Sequence, residues 1–557
     1  MGDIDYQTLE LAQAARPDAH MRHEIVVVGA GPVGLTLALD LADKGHRVLI
    51  LDDDTSLSKG SRAICFAKRT LDIWDRLGVG ARMTAKGVSW NVGKVFFRDQ
   101  EVWSFNLRPE EGHQRPAFIN LQQYYCEGYL YEAVREQPLI ELRSGHKVTD
   151  LQNRPDGVQL TVQTADGDYT LEADWLLACD GSRSSMRRSL GLTSSGRIFK
   201  DRFLIADVRM QADFPAERWF WFDPPFHPNQ SVLLHSQPDN VWRIDFQLGW
   251  DADPVEAVKP ENVIPRIQAL LGADTAFELE WVSIYTFACE RMERFRHGRV
   301  LFAGDSAHRV SPFGARGANS GIQDADNLAW KLDLVLNGQA PEGLLDSYAE
   351  ERESAADENI RHSSRSTDFI TPKSEISRLF RDAVLILARR HAFARALVNS
   401  GRLSLPSAYV DSRLNTPDQD TFAATAPPPG ACVPDAPVQH LGREAWWLPH
   451  LGPGFTLVEF APAEARNETL LDELIAQGLL TRLRVWPAGT PPEQAGSDLI
   501  DAQDLLRRRY DAAPGTCYLV RPDQHLCARW RALDGAAVQA ALRKACGHLL
   551  ETPECLH

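Results

Sequence analysis

The chain has 557 residues and a formal net charge of −16. That length predicts about three domains with ample sequence for large cores, and the acidic balance argues against nucleic acid and anionic membrane surfaces, whose recognition needs clustered lysine and arginine. No stretch approaches the ~18 consecutive apolar residues of a membrane span, residues 1–22 are polar and lack the apolar core of a secretory signal, and the nine cysteines are scattered without a CxxC. We therefore expect an N-terminal extension over 1–22, reduced thiols in a cytoplasmic protein, no metal site and no dithiol redox centre.

In chain order, the first chemical signal is a glycine cluster. The apolar run Ile25-Val26-Val27-Val28 predicts a strand, and Leu35 to Leu41 predicts a helix. Between them stands Gly29-Ala30-Gly31-Pro32-Val33-Gly34. Strand, GxGxxG and helix together are the context of a dinucleotide-binding turn. Gly29 permits the tight turn, Gly31 lets the backbone approach a pyrophosphate, and Gly34 lets helix and strand pack closely. The phosphates would sit at the helix N-terminus, where unpaired N–H groups favour negative charge. The next strand, Val48 to Leu51, ends in Asp52, an acid at the right distance to hydrogen-bond a ribose hydroxyl. The bland alternative is a glycine turn in an ordinary βαβ unit. It leaves the coincidence of strand, helix and acid unexplained.

Strand and helix signals alternate up to Asp180-Gly181, which follows the short apolar strand Trp175 to Ala178. From about Arg188 to Trp281 the texture changes. Trp219-Phe220-Trp221-Phe222, Val232-Leu233-Leu234 and Val241 to Phe246 are bulky and alternating, and so predict antiparallel sheet. A strand returns at Arg299 to Asp305. Apolar residues at Ile322, Ala325, Ala329, Leu332 and Leu336 then predict a helix, and Ile376 to Val398 predicts more. Thr421 to Gln439 contains Pro427-Pro428-Pro429-Gly430 and reads as a linker. Beyond it lies a small βαβ-like unit, with strands at Phe455–Phe460, Leu483–Trp486 and Cys517–Val520 and a helix around Leu470 to Ile475.

Two further segments carry chemistry: Cys179-Asp180-Gly181 through Arg187, and Gly304-Asp305-Ser306-Ala307-His308 through Asn319. Asp305 ends a strand, where a carboxylate suits a second ribose-like chain. Gly317 opens a helix suited to anionic oxygen. His308 reads as structural. The ordered set GxGxxG, DG and GD resembles the single-component flavoprotein aromatic hydroxylases, the class A FAD monooxygenases, over about residues 23–352. The resemblance includes Gly60-Ser61-Arg62-Ala63, Arg69-Thr70-Leu71, Asn120-Leu121-Gln122-Gln123, Leu345-Asp346-Ser347-Tyr348 and Glu351-Arg352. The wording at Asn120 to Leu130 and Phe313 to Leu332 is most similar to the 3-(3-hydroxyphenyl)propionate hydroxylase and phenol hydroxylase branch.

The resemblance implies an α/β fold. A Rossmann-like FAD-binding domain (23–187 and 288–420, with trailing helices) would be interleaved with an antiparallel-sheet substrate domain (188–287). A linker (421–439) and a thioredoxin-like C-terminal domain (440–557) without CxxC would follow, and Arg521-Pro522-Asp523 leading into Trp530-Arg531 fits that picture. The resemblance also implies roles. Gly29, Gly31, Pro32, Val33, Gly34 and Asp52 would hold the ADP half of FAD, and Arg62 would sit near the pyrophosphate. Gln123 would contact the cofactor, Asp180 and Gly181 would serve FAD, and Asp305 would bind the ribityl chain. Gly317, Ala318 and Asn319 would lie at the pyrimidine edge of the flavin. Pro312 would stand beside the ring. Arg316 occupies a place where relatives carry lysine or glutamine, and as a cation it would attract hydride. No second GxGxxG follows a later strand, so NADPH or NADH would bind transiently as electron donor.

The implied reaction uses NAD(P)H, O2 and a C4a-hydroperoxyflavin to hydroxylate a phenol, with water excluded. For substrate contact the candidates are Trp221, Phe222, Trp242, Arg243 and Phe246, with His235 and Tyr285 as a proton relay. Arg243 would pair with a substrate carboxylate, against the blander reading of an ion pair with Asp245 or another acid. Alternating aromatics are also ordinary core, and His235 and Tyr285 are equally readable as satisfied buried polar residues. The alternatives are epoxidation or Baeyer–Villiger oxygenation of a polycyclic polyketide, a flavin-dependent halogenase (Trp219 to Pro224 partly echoes WxWxIP), and a non-catalytic flavin-binding protein. The expected partner is a small aromatic molecule. A homodimer rests on analogy.

Overall fold

The computed structural model describes residues 5–11, 15–17, 21–58, 60, 62–107, 110–211, 214–398, 405–462, 467–491 and 498–548. Ser61 of the Gly60-to-Ala63 motif and parts of the N-terminal extension and of the C-terminus lie outside these residues. The chain divides into two compact units. The first comprises residues 1–109, 115–325 and 356–405, and the second 110–114, 326–355 and 406–557.

The first unit is organised by a mixed sheet with a parallel centre. Its strands run in the order Arg296–His297, Val300–Phe302, Tyr169–Ala178, Arg22–Val28, Val48–Asp52 and Ile140–Ser144, and the contacts from Val300–Phe302 through Ile140–Ser144 are parallel. Ile25, Val26, Val27, Leu49, Ile50, Leu176, Leu177 and Leu301 are all buried. This is the continuous apolar signature of a sheet covered on both faces. Helices Pro32–Asp43 and Gln123–Glu136 belong to the same unit.

The second sheet of this unit has eight strands. Their order is His308–Arg309, Glu278–Met292, Ser194–Arg209, Val241–Leu248, Ser231–Ser236, Arg218–Phe222, Val92–Phe97 and Gln100–Asn106. The aromatic segments do form antiparallel sheet, but the sheet extends beyond 188–287. It recruits Val92–Phe97, which pairs in parallel with Arg218–Phe222, and it continues through Met292 to a short strand at His308–Arg309. Alternation reveals strands, whereas pairing with segments a hundred residues away leaves no local trace.

Period two puts one row of side chains on each face. One face carries Leu204, Ala206, Trp221, Val232, Leu234, Trp242, Ile244 and Phe246, packed with Val263 and Ile267 of helix Pro260–Leu271. The other presents Phe203, Arg218, Leu233, His235, Arg243, Asp245 and Tyr285. The expected helices appear as Gly317–Leu336, Leu344–Ile370, Glu375–Ala388 and Ala392–Val398.

The second unit is built on a seven-stranded sheet in the order Arg443–Trp446, Pro437–His440, Leu499–Asp501, Leu480–Pro487, Phe455–Phe460, Cys517–Val520 and Leu526–Trp530. Phe455–Phe460 and Leu480–Pro487 are parallel, as a βαβ pattern requires, with helix Glu468–Ala476 between them in sequence. The proline-rich stretch 421–439, expected as a linker, is packed against this unit. Gly430 N donates to Leu526 O at 2.7 Å, Val433 N to Gln524 O at 3.0 Å, and Pro437–His440 is itself a strand. Prolines fix φ and give up a donor, and Pro437 stands first in its strand, a position that accommodates both. A saturated ionic cluster lies in the unit's core. Arg521 bonds both oxygens of Glu351 (2.7 and 3.0 Å) and both oxygens of Asp523, and Lys331 adds a 2.8 Å bond to Glu351.

Candidate active site

Three loops leave the C-terminal edge of the parallel sheet side by side. Val28 pairs with Leu51 and with Ala178, and Ala178 pairs with Phe302. The segments after these residues are the glycine turn, Asp180-Gly181 and Gly304-Asp305. Ligands of open α/β sheets bind in the crevice outside this edge.

The glycines of the first turn have distinct reasons to be there. Gly29 has φ +108°, and a Cβ on it would meet Cys179 O at 2.4 Å. On Gly34 a Cβ would meet Gly29 O at 2.0 Å, so helix and turn are in direct backbone contact. Around Gly31 there is no atom within 4 Å of the Cβ position, and the residue lines the cleft. Asp52 accepts hydrogen bonds from Ala30 N and from Asp54 N (2.7 Å), which fixes the turn. Its burial pushes its pKa up to about 6 despite those two bonds.

A cleft of ≈ 410 Å³ opens beside these loops. On its nucleotide side it is lined by Gly31, Pro32, Val33, Arg62, Gln123 and Gly181, and further along by Asp305, Pro312, Arg316 and the helix start Gly317-Ala318-Asn319. Arg187 ties the two later loops together, donating to Ser306 O (2.6 Å) and Ser182 O (2.8 Å). Asp180 accepts from Ser185 Oγ (3.3 Å) and Met186 N (3.1 Å) through Oδ2, while its Oδ1 is buried with no hydrogen-bond partner. The Asp305 carboxylate opens into the cleft but is ringed by protein. This partial dehydration raises its pKa, and His308, Arg309 and Arg62 pull it the other way. His308 has the structural place expected of it: its Nε2 lies 2.7 Å from Asp324 Oδ2, which also accepts from Gly304 N at 2.8 Å.

Two expected cofactor residues act as braces as well. Asn319 is almost fully bonded. Its Oδ1 accepts from Ala67 N (2.8 Å) and Thr70 Oγ1 (2.7 Å), and its Nδ2 donates to Cys65 O (2.9 Å) and Ala315 O (2.6 Å). Gln123 Oε1 accepts from Ala63 N (3.0 Å) and Arg62 N (3.2 Å), and its Nε2 donates to the buried Glu127 at 2.7 Å. Both hold the 62–70 segment against the cleft. Arg316 donates to Asn359 Oδ1 at 2.9 Å. Ala315 adopts φ +51°, a left-handed conformation that a residue with a Cβ seldom takes, in the turn that carries Pro312 and Arg316.

The sheet side of the cleft corrects several expectations. His235 and Tyr285 do line it, but Trp221, Trp242 and Phe246 stand on the opposite face, in the core under helix Pro260–Leu271. Phe222 faces a separate apolar recess of ≈ 70 Å³ with Phe220 and Phe313. Arg243 lines the cleft, yet its guanidinium is taken by Asp207 in a buried bidentate pair at 2.8 and 2.7 Å. The blander ion-pair reading was therefore correct in kind, with Asp207 in place of Asp245. His235 is buried, and this dehydration lowers its pKa to about 4 against the pull of Asp245 at 3.6 Å. Burial raises the pKa of Tyr285, offset by Arg62 and Arg243. The sequence reading missed Arg218 and Asp245, which also line this wall. The available signal was parity, since both share the alternation phase of His235 and Arg243 across the paired strands.

The comparisons with known proteins agree with this geometry. A family described as "FAD binding domain" matches residues 22–363. The chain belongs to this FAD-binding family. Among its relatives in this family of flavoprotein monooxygenases, a "Probable NADH-specific resorcinol 4-hydroxylase" of Rhodococcus jostii is 32% identical over 335 residues, which is 59% of this chain and 62% of that one. The match thus spans under two thirds of that relative. The 6-methylpretetramide 4-monooxygenase of Streptomyces rimosus is 30% identical over 95% of this chain and 94% of its own. In fold, the flavin-dependent monooxygenase PieE, solved in complex with FAD and substrate, superposes with a TM-score of 0.81 at 23% identity, covering 96% of this chain and 100% of that one.

The donor set fits an FAD. The open position at Gly31, the orphaned oxygen of Asp180 and the carboxylate of Asp305 lie at the three loops of one edge. No helix among the described residues is long and apolar enough to cross a membrane.

The His235 environment makes a prediction about stability. Its folded pKa of about 4 lies below the ordinary 6.5. Between these values the unfolded chain takes up a proton that the native state refuses. Stability therefore falls as pH drops from 6.5 to 4, by at most about 3 kcal/mol from this residue. Urea denaturation across that window should show the slope in the native sequence, and His235→Gln should flatten it.

Proposed function

We propose that this hydroxylase uses NADH or NADPH and O2 to hydroxylate a phenolic aromatic compound held in the ≈ 410 Å³ cleft. The observation that carries the reading is the facing of two walls: three nucleotide-type loops and a helix start on one side, and a sheet with His235, Tyr285 and Phe203 on the other. Bound FAD would supply the activation of oxygen. Gly31 with the N-terminus of helix Pro32–Asp43 would take the pyrophosphate, Asp52 the ribose and Asp305 the ribityl chain. Asp180 and Gly181 would complete the cradle, and Arg62 would close its entrance. Gly317, Ala318 and Asn319 would offer N–H groups to the flavin's pyrimidine edge, and Pro312 and Arg316 would flank the ring. His235, neutral near pH 7, would accept or relay the phenolic proton with Tyr285, because phenolate is the better nucleophile.

A second reading, oxygenation of a polycyclic polyketide, draws support from the near full-length match to the 6-methylpretetramide monooxygenase. Substrate choice within one fold rests on pocket shape.

For the rest of the chain, we read 23–187 with 288–420 as the FAD-binding domain and 188–287 as the core of the substrate domain. We read 440–557 as a thioredoxin-like domain without redox function. Parallel strands Phe455–Phe460 and Leu480–Pro487, the hairpin Cys517–Val520 with Leu526–Trp530, and helices Glu468–Ala476 and Gly535–Ala545 support this reading. No disulfide joins the described cysteines, consistent with a cytoplasmic location. Ile376, Leu379, Phe380, Phe393 and Leu397 are exposed apolar residues on neighbouring helices, which supports a homodimer. Light scattering of the holoenzyme should give twice the chain mass; a monomer at micromolar concentration refutes it.

Two experiments test the function. Resorcinol, phenol, hydroxyphenylpropionates, hydroxybenzoates and a tetracyclic polyketide should be assayed for stimulated NAD(P)H oxidation with product identification. At least one phenol is expected to raise the rate tenfold or so and to yield a hydroxylated product. Stimulation by the polyketide alone selects the second reading. Asp305→Ala should be isolated largely without the yellow cofactor; full retention, read from the ratio of absorbance at about 450 and 280 nm, would remove Asp305 from the cradle.

A further inference from the structure

Arg218 opens the strand Arg218–Phe222 and has the same phase as Phe220 and Phe222. Its register partner is His235, and His235 in turn pairs with Arg243. The side chain is only 8% exposed. It borders both the main cleft and the ≈ 70 Å³ recess lined by Phe105, Phe220, Phe222 and Phe313. Its Nε is buried without a hydrogen-bond partner, and no ion pair among the described residues reaches its guanidinium.

This is an unusual state for an arginine. A guanidinium keeps its proton in proteins, and a buried charge without a counter-ion costs several kcal/mol. Its neighbour in the sheet has the ordinary solution, since Arg243 is clamped by Asp207. Asp207 is therefore taken; Asp245 has its Oδ2 3.6 Å from His235 Nε2 and its Oδ1 without a hydrogen-bond partner, and forms no ion pair with Arg218. The ring of His235 is neutral at ordinary pH and leaves Nδ1 without a partner. The wall thus offers a forked cation for which no ion-pair partner is found among the described residues.

We propose that Arg218 is a subsite for an anionic oxygen carried by the aromatic substrate. The group is a carboxylate or an ionised phenol or enol, which guanidinium binds in bidentate fashion. The inference rests on the reading of the cleft as the place where an aromatic compound is bound, and it narrows the substrate class to acidic aromatics.

The test uses the FAD-loaded enzyme and matched ligand pairs, with Kd read from the perturbed flavin absorbance. One pair is 3-(3-hydroxyphenyl)propanoate and its primary amide. The other is 4-nitrophenol and phenol at pH 8, where only the first is ionised. In at least one pair the anion should bind about 10- to 100-fold more tightly than its neutral partner, the usual range for hydrogen bonds to a charged group. Arg218→Met should abolish that preference while leaving the neutral ligand within about threefold, and Arg218→Lys should keep part of it. The first pair responding alone identifies a carboxylate, and the second alone an ionised hydroxyl.

Equal affinities within both pairs, no binding by any of the four, or an equal loss of both partners in Arg218→Met would overturn the subsite. If Arg218→Met fails to fold, the comparison within wild type and in Arg218→Lys still decides. Neutral phenols oxygenated as well as acidic ones would leave the proposed function standing and remove the subsite. Charge-dependent binding without any oxygenated product would do the opposite.

Discussion

The site depends on the register of a few parallel strands. Val28, Leu51, Ala178 and Phe302 lie level with one another, so the chain leaves the sheet at the same height each time. The strand order then fixes the lateral order of the groups at this edge: the Asp305 loop, the Asp180 loop, the glycine turn and Asp52. Strands stand ~4.8 Å apart, so these groups are spread over roughly 15 Å. An extended dinucleotide laid across the edge would pass each of them. The close contacts of Gly29 with Cys179 and of Gly34 with Gly29 follow from the same crowding. Any side chain at either position would push the loops apart.

This part of the molecule was legible because its physics is local. A parallel strand buried on both faces is a continuous apolar run, and the residues that end it are the ones at the edge. The second sheet was legible only in part. Alternation predicted strands at 219–222, 232–234 and 241–246, and strands are there. It did not say which parity faces the cleft, because both carry large aromatic residues. Trp219 and Trp221 alternate with Phe220 and Phe222, so hydrophobicity cannot distinguish the faces. The polar residues could. Arg218, His235, Arg243 and Asp245 share one face, and a helix covers the other. Aromatic size drew attention to Trp221, Trp242 and Phe246, whereas buried charge marked the functional wall. The strands Val92–Phe97 and Gln100–Asn106 were illegible for a different reason, since the first of them pairs with a strand remote in sequence.

The Glu351-Arg352 pair shows the limit of reading roles from a motif. Glu351 is the hub of the ionic cluster in the second unit. Burial opposes its ionisation, but Arg521 and Lys331 more than compensate and hold its pKa well below the carboxylate range. Arg352 donates to Tyr409 Oη at 2.6 Å. Both are structural groups, and they belong to a unit most of whose residues come from 406–557. A segment inside the resembling stretch thus serves to fold a part of the chain that the motif does not cover.

Set against that cluster, the cleft wall separates two uses of buried charge. Where the protein supplies the counter-ion, as at Arg521 and Arg243, the ion pair is complete before any ligand arrives. Such a pair adds little to recognition, because binding would first have to break it. Arg218, which has no such partner among the described residues, gains its counter-ion only from a ligand that enters the cleft. The stability forgone by leaving Arg218 without an ion-pair partner would return as affinity for an anionic ligand. Neutral His235 next to it has a similar logic, since a protonated imidazole beside an unpaired guanidinium would add repulsion.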